Sequence, residues 1–333
     1  MPALVIRQFG AAADVLGLDC EPMAQVGLGE VRVRILAAPI NPADLNWIDG
    51  TYGTRPILPA TPGTEAVGEV IESNATALTV GTRVIFLSYA HGWQTQRVVR
   101  AEELLAVPAD LPVSDLAMLK VNPATAWRIL HDFVALRPGA VVVQNAANSG
   151  VGRCVIQIAH ALGLRTINMV RQQALADELR ACGADLVCGD DETGKEEALS
   201  YLRALGARAS LALNAVGGES ALRQLDLLEE AATQVTYGAM GRRSLTIPNK
   251  FLIFRDIRFR GFWLTHWLAR ASPSERGETY ASLLDLLRQG KLQQPVDSMH
   301  PLDSFRQALL RINASDRNGK ILFVPTEGTG CGI

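Results

Sequence analysis

The most informative segment of the sequence is Asn145-Ala146-Ala147-Asn148-Ser149-Gly150-Val151-Gly152, which joins an apolar strand pattern at 140–144 to a helix pattern at 151–162. Compared with the dinucleotide-binding pattern GxGxxG, it has small residues at the first two glycine positions and keeps the third glycine, Gly152. Small residues let the backbone approach a pyrophosphate closely, and the amides at the start of a helix can hold its charge. The stretch therefore predicts a nucleotide-binding turn, with a generic strand–helix turn as the alternative.

Strand and helix patterns alternate on both sides of this turn, between about 119 and 265. Further strand patterns lie at 165–170, 185–188, 211–215, 234–237 and 258–263, and helix patterns lie at 123–133 and 174–182. Continuous apolar strands that alternate with helices are typical of a parallel sheet covered on both faces. We therefore predict an α/β fold, with a Rossmann-type, doubly wound parallel sheet domain at 119–265.

The segments that flank this domain have a different pattern. Residues 1–118 contain short strand patterns, such as 31–36, separated by closely spaced Gly and Pro turns. After the α/β segment come a helix pattern at 275–289 and a last strand pattern at 320–324. We expect 1–118 and 266–333 to join into one β-rich domain, into which the α/β domain is inserted.

The bulk composition is that of a globular protein: 333 residues, 48% hydrophobic, 20% charged and a formal net charge of −2. No apolar run is long enough to span a bilayer and no broad basic surface is indicated, so we expect neither membrane binding nor nucleic-acid binding. The start of the chain lacks a secretory pattern. This favours a cytoplasmic protein, or a mitochondrial one whose transit peptide has been removed.

The residue after the second predicted strand of the sheet indicates the cofactor. Proteins that bind NAD usually carry an acidic residue about 20 positions after the turn, where it accepts hydrogen bonds from the ribose. This place holds Arg171, whose guanidinium can bind a 2′-phosphate bidentately, whereas a carboxylate would repel the phosphate. We therefore expect NADPH rather than NADH, although the following Gln172-Gln173 add no second basic group.

With these features in order, the chain resembles the medium-chain dehydrogenase/reductase superfamily along nearly its whole length. Within it, the chain most resembles the 2-enoyl thioester reductases, the mitochondrial-type trans-2-enoyl-CoA/ACP reductases. The resembling stretches are 40–46, 121–126, 144–152, 155–159, 162–168, 236–240 and 260–265. The last of them, Arg260-Gly261-Phe262-Trp263-Leu264-Thr265, is more specific than the nucleotide pattern. The resemblance implies a GroES-like fold for the β-rich catalytic domain, and a homodimer formed through the edge strand at 258–263.

The resemblance also implies that the protein works without zinc. Zinc alcohol dehydrogenases of this superfamily have a ligand Cys and a ligand His at places that here hold Asn41 and Thr64. An amide and a hydroxyl do not replace a thiolate and an imidazole as strong zinc ligands. The four-cysteine structural zinc lobe is absent as well, since no Cys lies between 20 and 154. We therefore expect no metal site.

In the resembling family, a tyrosine in the loop after the Asn-Pro-x-Asp helix donates a proton, and the matching residue is Tyr52. Hydride from the nicotinamide adds to the β-carbon of a conjugated thioester, and a phenol can supply the proton as charge builds toward the α-carbon. The cofactor contacts that the resemblance implies are Asn122, Asn148, Ser149, Gly150, Val151, Gly152, Arg171, Tyr237, Gly238, Ala239, Met240, Phe262, Trp263, Leu264 and Lys320.

Three functions remain open at this point. The first is NADPH-dependent reduction of trans-2-enoyl thioesters, and the second is a quinone oxidoreductase or small-enone reductase of the same fold. The third is a non-catalytic structural or RNA-binding relative, against which Tyr52, Arg171 and the small-residue turn argue.

Two further patterns bear on the substrate and its carrier. Between 242 and 260 basic residues outnumber the single acid, Asp256, which fits the phosphates of coenzyme A, the acidic helix of acyl carrier protein, or an ordinary solvated face. Trp263 and Trp267 are candidates to line an acyl pocket, or to pack at a domain junction.

Overall fold

The computed structural model describes residues 1–326, except the side chain of Gln173, and residues 327–333 lie outside the described part. The chain divides into two compact units. We call Asn122–Gln293 the α/β unit, and Met1–Val121 together with the chain from Gln294 on the β-rich unit.

The strands in residues 1–326 are β1 (Pro2–Ile6), β2 (Leu16–Cys20), β3 (Glu30–Pro39), β4 (Val67–Ser73), β5 (Arg83–Phe86), β6 (Gln96–Arg100), β7 (Leu104–Ala106), β8 (Val141–Gln144), β9 (Arg165–Val170), β10 (Leu186–Gly189), β11 (Ala209–Asn214), β12 (Leu228–Thr236), β13 (Arg258–Gly261), β14 (Val296–His300) and β15 (Lys320–Phe323). The α-helices in the same residues are α1 (Ala12–Val15), α2 (Pro42–Asp49), α3 (Val113–Ala117), α4 (Asn122–His131), α5 (Gly150–Ala161), α6 (Ala176–Ala181), α7 (Glu192–Leu205), α8 (Gly218–Leu225), α9 (Asn249–Ile253), α10 (Leu264–Arg270), α11 (Pro273–Arg288) and α12 (Phe305–Ile312).

The α/β unit is built on one parallel sheet with the strand order β10-β9-β8-β11-β12-β13. Strand β8 is buried along its whole length and β9 after its first residue, as expected for strands covered on both faces. The order reverses between β8 and β11, and ligands of open parallel sheets bind at such a point, outside the carboxyl ends of the strands. The predicted doubly wound α/β fold is confirmed.

Several predicted elements differ from the observed ones at their ends. Strand β9 and helix α5 match their predictions to within a residue. Helices α7 and α8 were not among the predicted elements. The buried side of α7 is narrow, formed by Gly194, Ala198 and Leu202, although Asp191 caps its start and Gly206 its end. Strand β12 begins at Leu228, whereas the sequence pattern placed its start at 234. The pattern missed the first part of the strand because that part is largely polar and exposed.

The β-rich unit contains a mixed sheet with the order β14-β15-β3-β4-β5-β7, and β6 pairs with β3 as well. The long strand β3 carries apolar side chains into a core that contains the fully buried Phe86, Trp93 and Phe323. The ring of Trp93 meets that of Phe323 edge-on, with centroids 5.1 Å apart. Strands β1 and β2 form a separate antiparallel pair.

The second unit boundary lies between Gln293 and Gln294, whereas the sequence placed it at 265/266. Helices α10 and α11 belong to the α/β unit because α11 packs against α4. The end of this segment is also tied back: the Gln157 side chain donates to the carbonyl of Gln293 (2.9 Å) and accepts from its amide (2.8 Å). Among the described residues, no helix combines the length and the apolar character needed to cross a membrane.

Candidate active site

The turn after β8 has the geometry that a pyrophosphate requires. Ser149 caps α5, and its hydroxyl accepts a hydrogen bond from the amide of Gly152 (3.1 Å). A Cβ at Gly152 would lie 2.5 Å from the carbonyl oxygen of Ala147, so the absence of a side chain lets the helix pack on the turn. The first amides of α5, at Gly150 and Val151, belong to the donors that a helix leaves for a capping group or an anion.

Asn122 lies against this turn. It is the first residue of α4 and is only 5% exposed. A Cβ at Gly150 would lie 2.5 Å from the Asn122 side-chain nitrogen, so the amide occupies the space that any larger residue at 150 would need. The structure thus brings together Asn122 and the turn, two features that the sequence places almost thirty positions apart.

A buried amide network holds the loops around the switch point. The Asn145 side chain donates to Asn214 Oδ1 (2.9 Å) and Ser220 Oγ (2.8 Å), and its own oxygen accepts from the Ala215 amide (2.7 Å). Asn214 Oδ1 also accepts from the Gly217 amide (3.0 Å). Because leaving one buried partner unsatisfied costs about 1–3 kcal/mol, this network fixes the loop after β11 beside the turn after β8. Neither asparagine was predicted as a site residue, although polar residues that directly follow apolar strands are a usable signal.

The other predicted cofactor contacts of this unit follow the carboxyl ends of parallel strands. Tyr237–Met240 come after β12, where the Tyr237 amide donates to the Asn214 carbonyl (3.0 Å) and the Met240 amide to the Ala215 carbonyl (2.9 Å). Phe262, Trp263 and Leu264 come after β13, and the Phe262 amide donates to the Thr236 carbonyl (3.0 Å). Gly238 and Ala239 continue the loop, with Gly238 packed close to Ala215. All of these loops lie at the same edge of the sheet.

Arg171 lies at that edge too, directly after β9. Its side chain is exposed, and no ion pair within the described residues holds its guanidinium. Arg153 on α5, in contrast, is buried and paired with Glu178. Asn148, the exposed residue of the turn, accepts a hydrogen bond from Arg153 through its carbonyl (3.2 Å). Arg171 therefore remains the candidate for a 2′-phosphate contact.

The remaining predicted residues, Tyr52 and Lys320, belong to the β-rich unit. Tyr52 lies in the loop after α2, partly buried against the core, and its amide donates to the Asn46 carbonyl (3.1 Å). Lys320 begins β15, and its ammonium group donates to Asn41 Oδ1.

The places of the zinc ligands are filled by a buried hydrogen-bond network. Asn41 donates to Glu65 (2.9 Å) through its side chain, and Thr64 donates to Asp44 through both its amide (2.7 Å) and its hydroxyl. Glu65 also accepts from the Val121 amide (2.8 Å). Among the described residues, no group of three or more His, Cys, Asp or Glu could hold a metal ion.

Four charged groups lie in this network. Asp44 and Glu65 are fully buried, and desolvation raises the pKa of both carboxyls, against the hydrogen bonds and the positive charge of Lys320. Lys120 is also buried, and desolvation lowers its pKa while Glu65 opposes the shift. Its ammonium group donates to the carbonyls of Thr64 (2.9 Å) and Ser88.

Two aspects of the surface differ from a simple interpretation of the sequence. In the basic segment at 242–260, Arg255 points inward and donates to the carbonyls of Leu225 (3.0 Å) and Leu228, and Arg258 pairs with Asp256. The Trp267 ring lies under the Arg128 guanidinium, whose carbon is 4.8 Å from the ring centroid. Arg255 and Arg258 are therefore engaged within the protein rather than free to bind a carrier, and Trp267 packs against Arg128.

Family models match both parts of the chain. The model described as "Alcohol dehydrogenase GroES-like domain" matches residues 27–108, within the β-rich unit, and the model described as "Zinc-binding dehydrogenase" matches residues 150–287, within the α/β unit. The GroES-like part of the predicted fold is therefore confirmed.

Known proteins are similar over nearly the whole chain. The human mitochondrial enoyl-[acyl-carrier-protein] reductase is 44% identical over 314 residues, which cover 92% of this chain and 84% of the relative. A protein described as an NADPH:quinone reductase from Bacillus thuringiensis has a TM-score of 0.90 and 26% identity, over 97% of this chain and 98% of the other.

Two further structures are similar at 26% identity, each over 97% of this chain and 99% of its own. The complex of Etr1p with NADP and crotonyl-CoA has a TM-score of 0.88. The Etr1p/Etr2p heterodimer of the mitochondrial 2-enoyl thioester reductase from Candida tropicalis has a TM-score of 0.87. The relatives are named as mitochondrial enzymes, so the comparisons do not support the cytoplasmic location expected from the sequence. On this similarity, the chain belongs to the mitochondrial-type enoyl-[acyl-carrier-protein] reductases of the medium-chain dehydrogenase/reductase superfamily.

Proposed function

We propose that the protein is an NADPH-dependent reductase of trans-2-enoyl thioesters, which converts them into saturated acyl thioesters without zinc. One observation carries the proposal. At the places of the zinc ligands, Asn41 and Thr64 are engaged in hydrogen bonds with Glu65 and Asp44, and Tyr52 lies in the loop that follows α2. The family supports the same reaction, since its human member is named for it.

The residues of the α/β unit fit NADPH. A Cβ at Gly152 would collide with the turn at Ala147, and a Cβ at Gly150 would collide with the Asn122 side chain. This leaves backbone amides rather than side chains to meet the phosphates. Arg171 would bind the 2′-phosphate and Asn122 would hold the cofactor beside the turn. Tyr237–Met240, Phe262–Leu264 and Lys320 are proposed as further contacts.

When bound, NADPH supplies a hydride to the β-carbon of the substrate. Tyr52 supplies the proton, so that one hydride and one proton saturate the double bond and the phenolate takes its proton back from solvent. The substrate is a thioester of coenzyme A or of acyl carrier protein: the Etr1p complex contains crotonyl-CoA, and the human relative is named for the carrier protein.

The reaction is tested by Tyr52→Phe, which removes one oxygen and preserves the ring. Turnover of crotonyl-CoA should fall by about 10²- to 10⁴-fold if the phenol is the general acid, while NADPH affinity persists. Tyr201→Phe, on α7 of the other unit, is the matched control and should retain full turnover.

A second substrate separates the two enzyme functions that the sequence left open. Reduction of a simple quinone forms no protonated carbon, so Tyr52→Phe should slow it much less. If Tyr52→Phe reduces crotonyl-CoA at nearly the unaltered rate, Tyr52 is not the acid. If the unaltered enzyme reduces quinones but no enoyl thioester, it is a quinone reductase. The similar protein from Bacillus thuringiensis is described as one.

For the quaternary structure we propose a homodimer through β13. This strand lies at the edge of the parallel sheet, and shortly before it in the chain Leu252, Ile253 and Phe254 are 46%, 69% and 77% exposed. An unpaired edge next to an apolar patch is a surface that association would cover. Light scattering should give twice the monomer mass, and Phe254→Asp should lower the measured mass.

The mitochondrial location of the relatives supports the same location for this chain.

A further inference from the structure

Three rings form a compact cluster in the β-rich unit. Trp47 and Tyr89 are stacked, with centroids 4.9 Å apart and planes 18° from parallel. The ring of His91 meets both edge-on, 4.8 Å from Tyr89 and 6.3 Å from Trp47. Such geometries are the favourable ones for aromatic pairs.

Each ring is held in place by its own support. Trp47 is carried on α2 and is 4% exposed. The Tyr89 carbonyl accepts a hydrogen bond from the Arg97 guanidinium. His91 Nδ1 is bonded to the Thr61 carbonyl (2.7 Å), and its backbone has the left-handed φ of 46° that non-glycine residues seldom adopt. Burial lowers the pKa of His91 to about 4, so the ring is neutral at pH 7.

The stacked pair has different surroundings on its two sides. On one side, Tyr89 lies next to the places of the zinc ligands, because the amide of the following Ala90 donates to the Thr64 carbonyl (3.2 Å). Burial raises the pKa of the Tyr89 hydroxyl, Asp44 and Tyr52 raise it further, and a hydrogen bond with Thr64 opposes them. Tyr52 is itself tied to α2 at Asn46, the residue before Trp47. On the other side, Trp47, Tyr89 and His91 line a cavity of about 620 Å³, together with Pro56, Ile57 and Thr61.

We propose that Trp47 and Tyr89 form the end wall of the acyl pocket and restrict this enzyme to short-chain enoyl thioesters. The inference rests on the proposed function, because it takes Tyr52 as the group beside the reacting double bond. The carrier end of the substrate is bulky and polar and must stay in solvent, so the acyl tail turns towards the apolar side chains next to Tyr52. There the acyl tail meets the stacked rings of Trp47 and Tyr89, which separate it from the cavity on their other side.

The wall predicts a dependence on chain length. The unaltered enzyme should show its highest kcat/KM with crotonyl-CoA and lose at least about tenfold with trans-2-decenoyl-CoA, because the added methylenes collide with the stacked rings of Trp47 and Tyr89. In Tyr89→Ala the tail can enter the cavity. Each newly buried methylene favours binding about fourfold. Since the cavity is open towards the exposed Ile57, we expect a total gain of roughly ten- to a hundredfold for the decenoyl substrate.

Two further variants complete the experiment. Tyr89→Phe keeps the ring and removes the hydroxyl, so it should keep the short-chain preference of the unaltered enzyme. Trp47→Met shortens the wall with a smaller change of volume. It should shift the preference towards longer chains even if Tyr89→Ala does not fold.

The outcomes separate this inference from the function on which it rests. If the unaltered enzyme reduces no enoyl thioester of any length, the proposed function fails and the wall has no substrate to limit. If it reduces crotonyl-CoA and decenoyl-CoA equally well, the function stands and the wall is refuted. The wall is also refuted if the folded Tyr89→Ala and Trp47→Met variants keep the unaltered length profile.

Discussion

Replacement of Gly152 by alanine tests the nucleotide turn most directly. The added Cβ would lie 2.5 Å from the Ala147 carbonyl oxygen and 2.7 Å from the Ala147 carbonyl carbon. These are backbone atoms, which cannot turn aside as a side chain could. Overpacking of this kind costs about 1–3 kcal/mol, which lowers the melting temperature of a unit of this size by roughly 2–12 °C. Because Ala147 belongs to the turn, NADPH affinity should fall together with stability.

Gly150→Ala makes a different collision in the same turn. Its Cβ would lie 2.5 Å from the Asn122 side-chain nitrogen, so Asn122 must leave its rotamer, at a cost of about 0.5–1.5 kcal/mol. The main loss should appear in cofactor binding: if Asn122 contacts NADPH, the dissociation constant should rise about tenfold, which corresponds to one hydrogen bond.

Gly277→Ala is the matched control. Gly277 lies within α11, and a Cβ there would meet no atom within 4 Å. Alanine favours a helix over glycine by up to about 1 kcal/mol, so this variant should melt slightly higher and bind NADPH unchanged. Calorimetry and NADPH fluorescence titration would give both quantities for all three variants. If Gly152→Ala melts and binds like Gly277→Ala, the close packing of turn and helix is not required, and the reasoning about the turn is wrong.

Three further predictions concern the cofactor, the metal and pH. Arg171→Ala should weaken NADPH binding about 10- to 150-fold and leave NADH binding unchanged, since a charge-assisted contact contributes roughly 1.5–3 kcal/mol; equal losses for both cofactors in parallel titrations would contradict a 2′-phosphate contact. Treatment with a strong chelator should leave turnover intact, because Asn41 and Thr64 are poor zinc ligands; a tightly held zinc per chain, with activity lost on its removal, would overturn this. Because burial lowers the pKa of His91 to about 4, the unfolded chain binds the extra proton first. The free energy of unfolding should therefore fall by up to about 3 kcal/mol as the pH drops from about 6.5 to 4. Urea unfolding across this range should show a smaller fall for His91→Asn, and identical slopes would refute it.

The sequence predicted best what periodicity and steric demand determine. Strand β9 was predicted residue for residue, although it carries the polar Thr166 and Asn168, which are buried with its apolar side chains and hydrogen-bond to each other (2.9 Å). Gly152 was expected to let helix and strand pack, and its closeness to Ala147 gives it that role. The loops at 237–240 and 262–264 were placed by resemblance alone, since their residues show no periodic pattern.

What the sequence could not give is contact between distant segments. Trp47 and Tyr89 stack across forty-two positions, and neither shows a pattern that separates a pocket wall from ordinary core. The boundary after Gln293 was missed for a related reason: α11 belongs to the α/β unit because it packs on α4, and no linker composition marks the junction. The roles of Tyr52 and Arg171 remain predictions that the experiments above address, and the role of Lys320 remains a prediction.

The buried network at the places of the zinc ligands can balance its own charge without a metal. Asp44 and Glu65 are fully buried, and an uncompensated buried carboxylate is strongly destabilising. A zinc ion would bring two positive charges, and here Lys120 and Lys320 bring the same total, as their opposing effect on the pKa of Glu65 indicates. The network is thus balanced within itself, and its donors are engaged by Glu65, Asn41 and backbone carbonyls. A reaction that builds negative charge must then draw its proton from a group outside the network, which is why we assign that step to Tyr52.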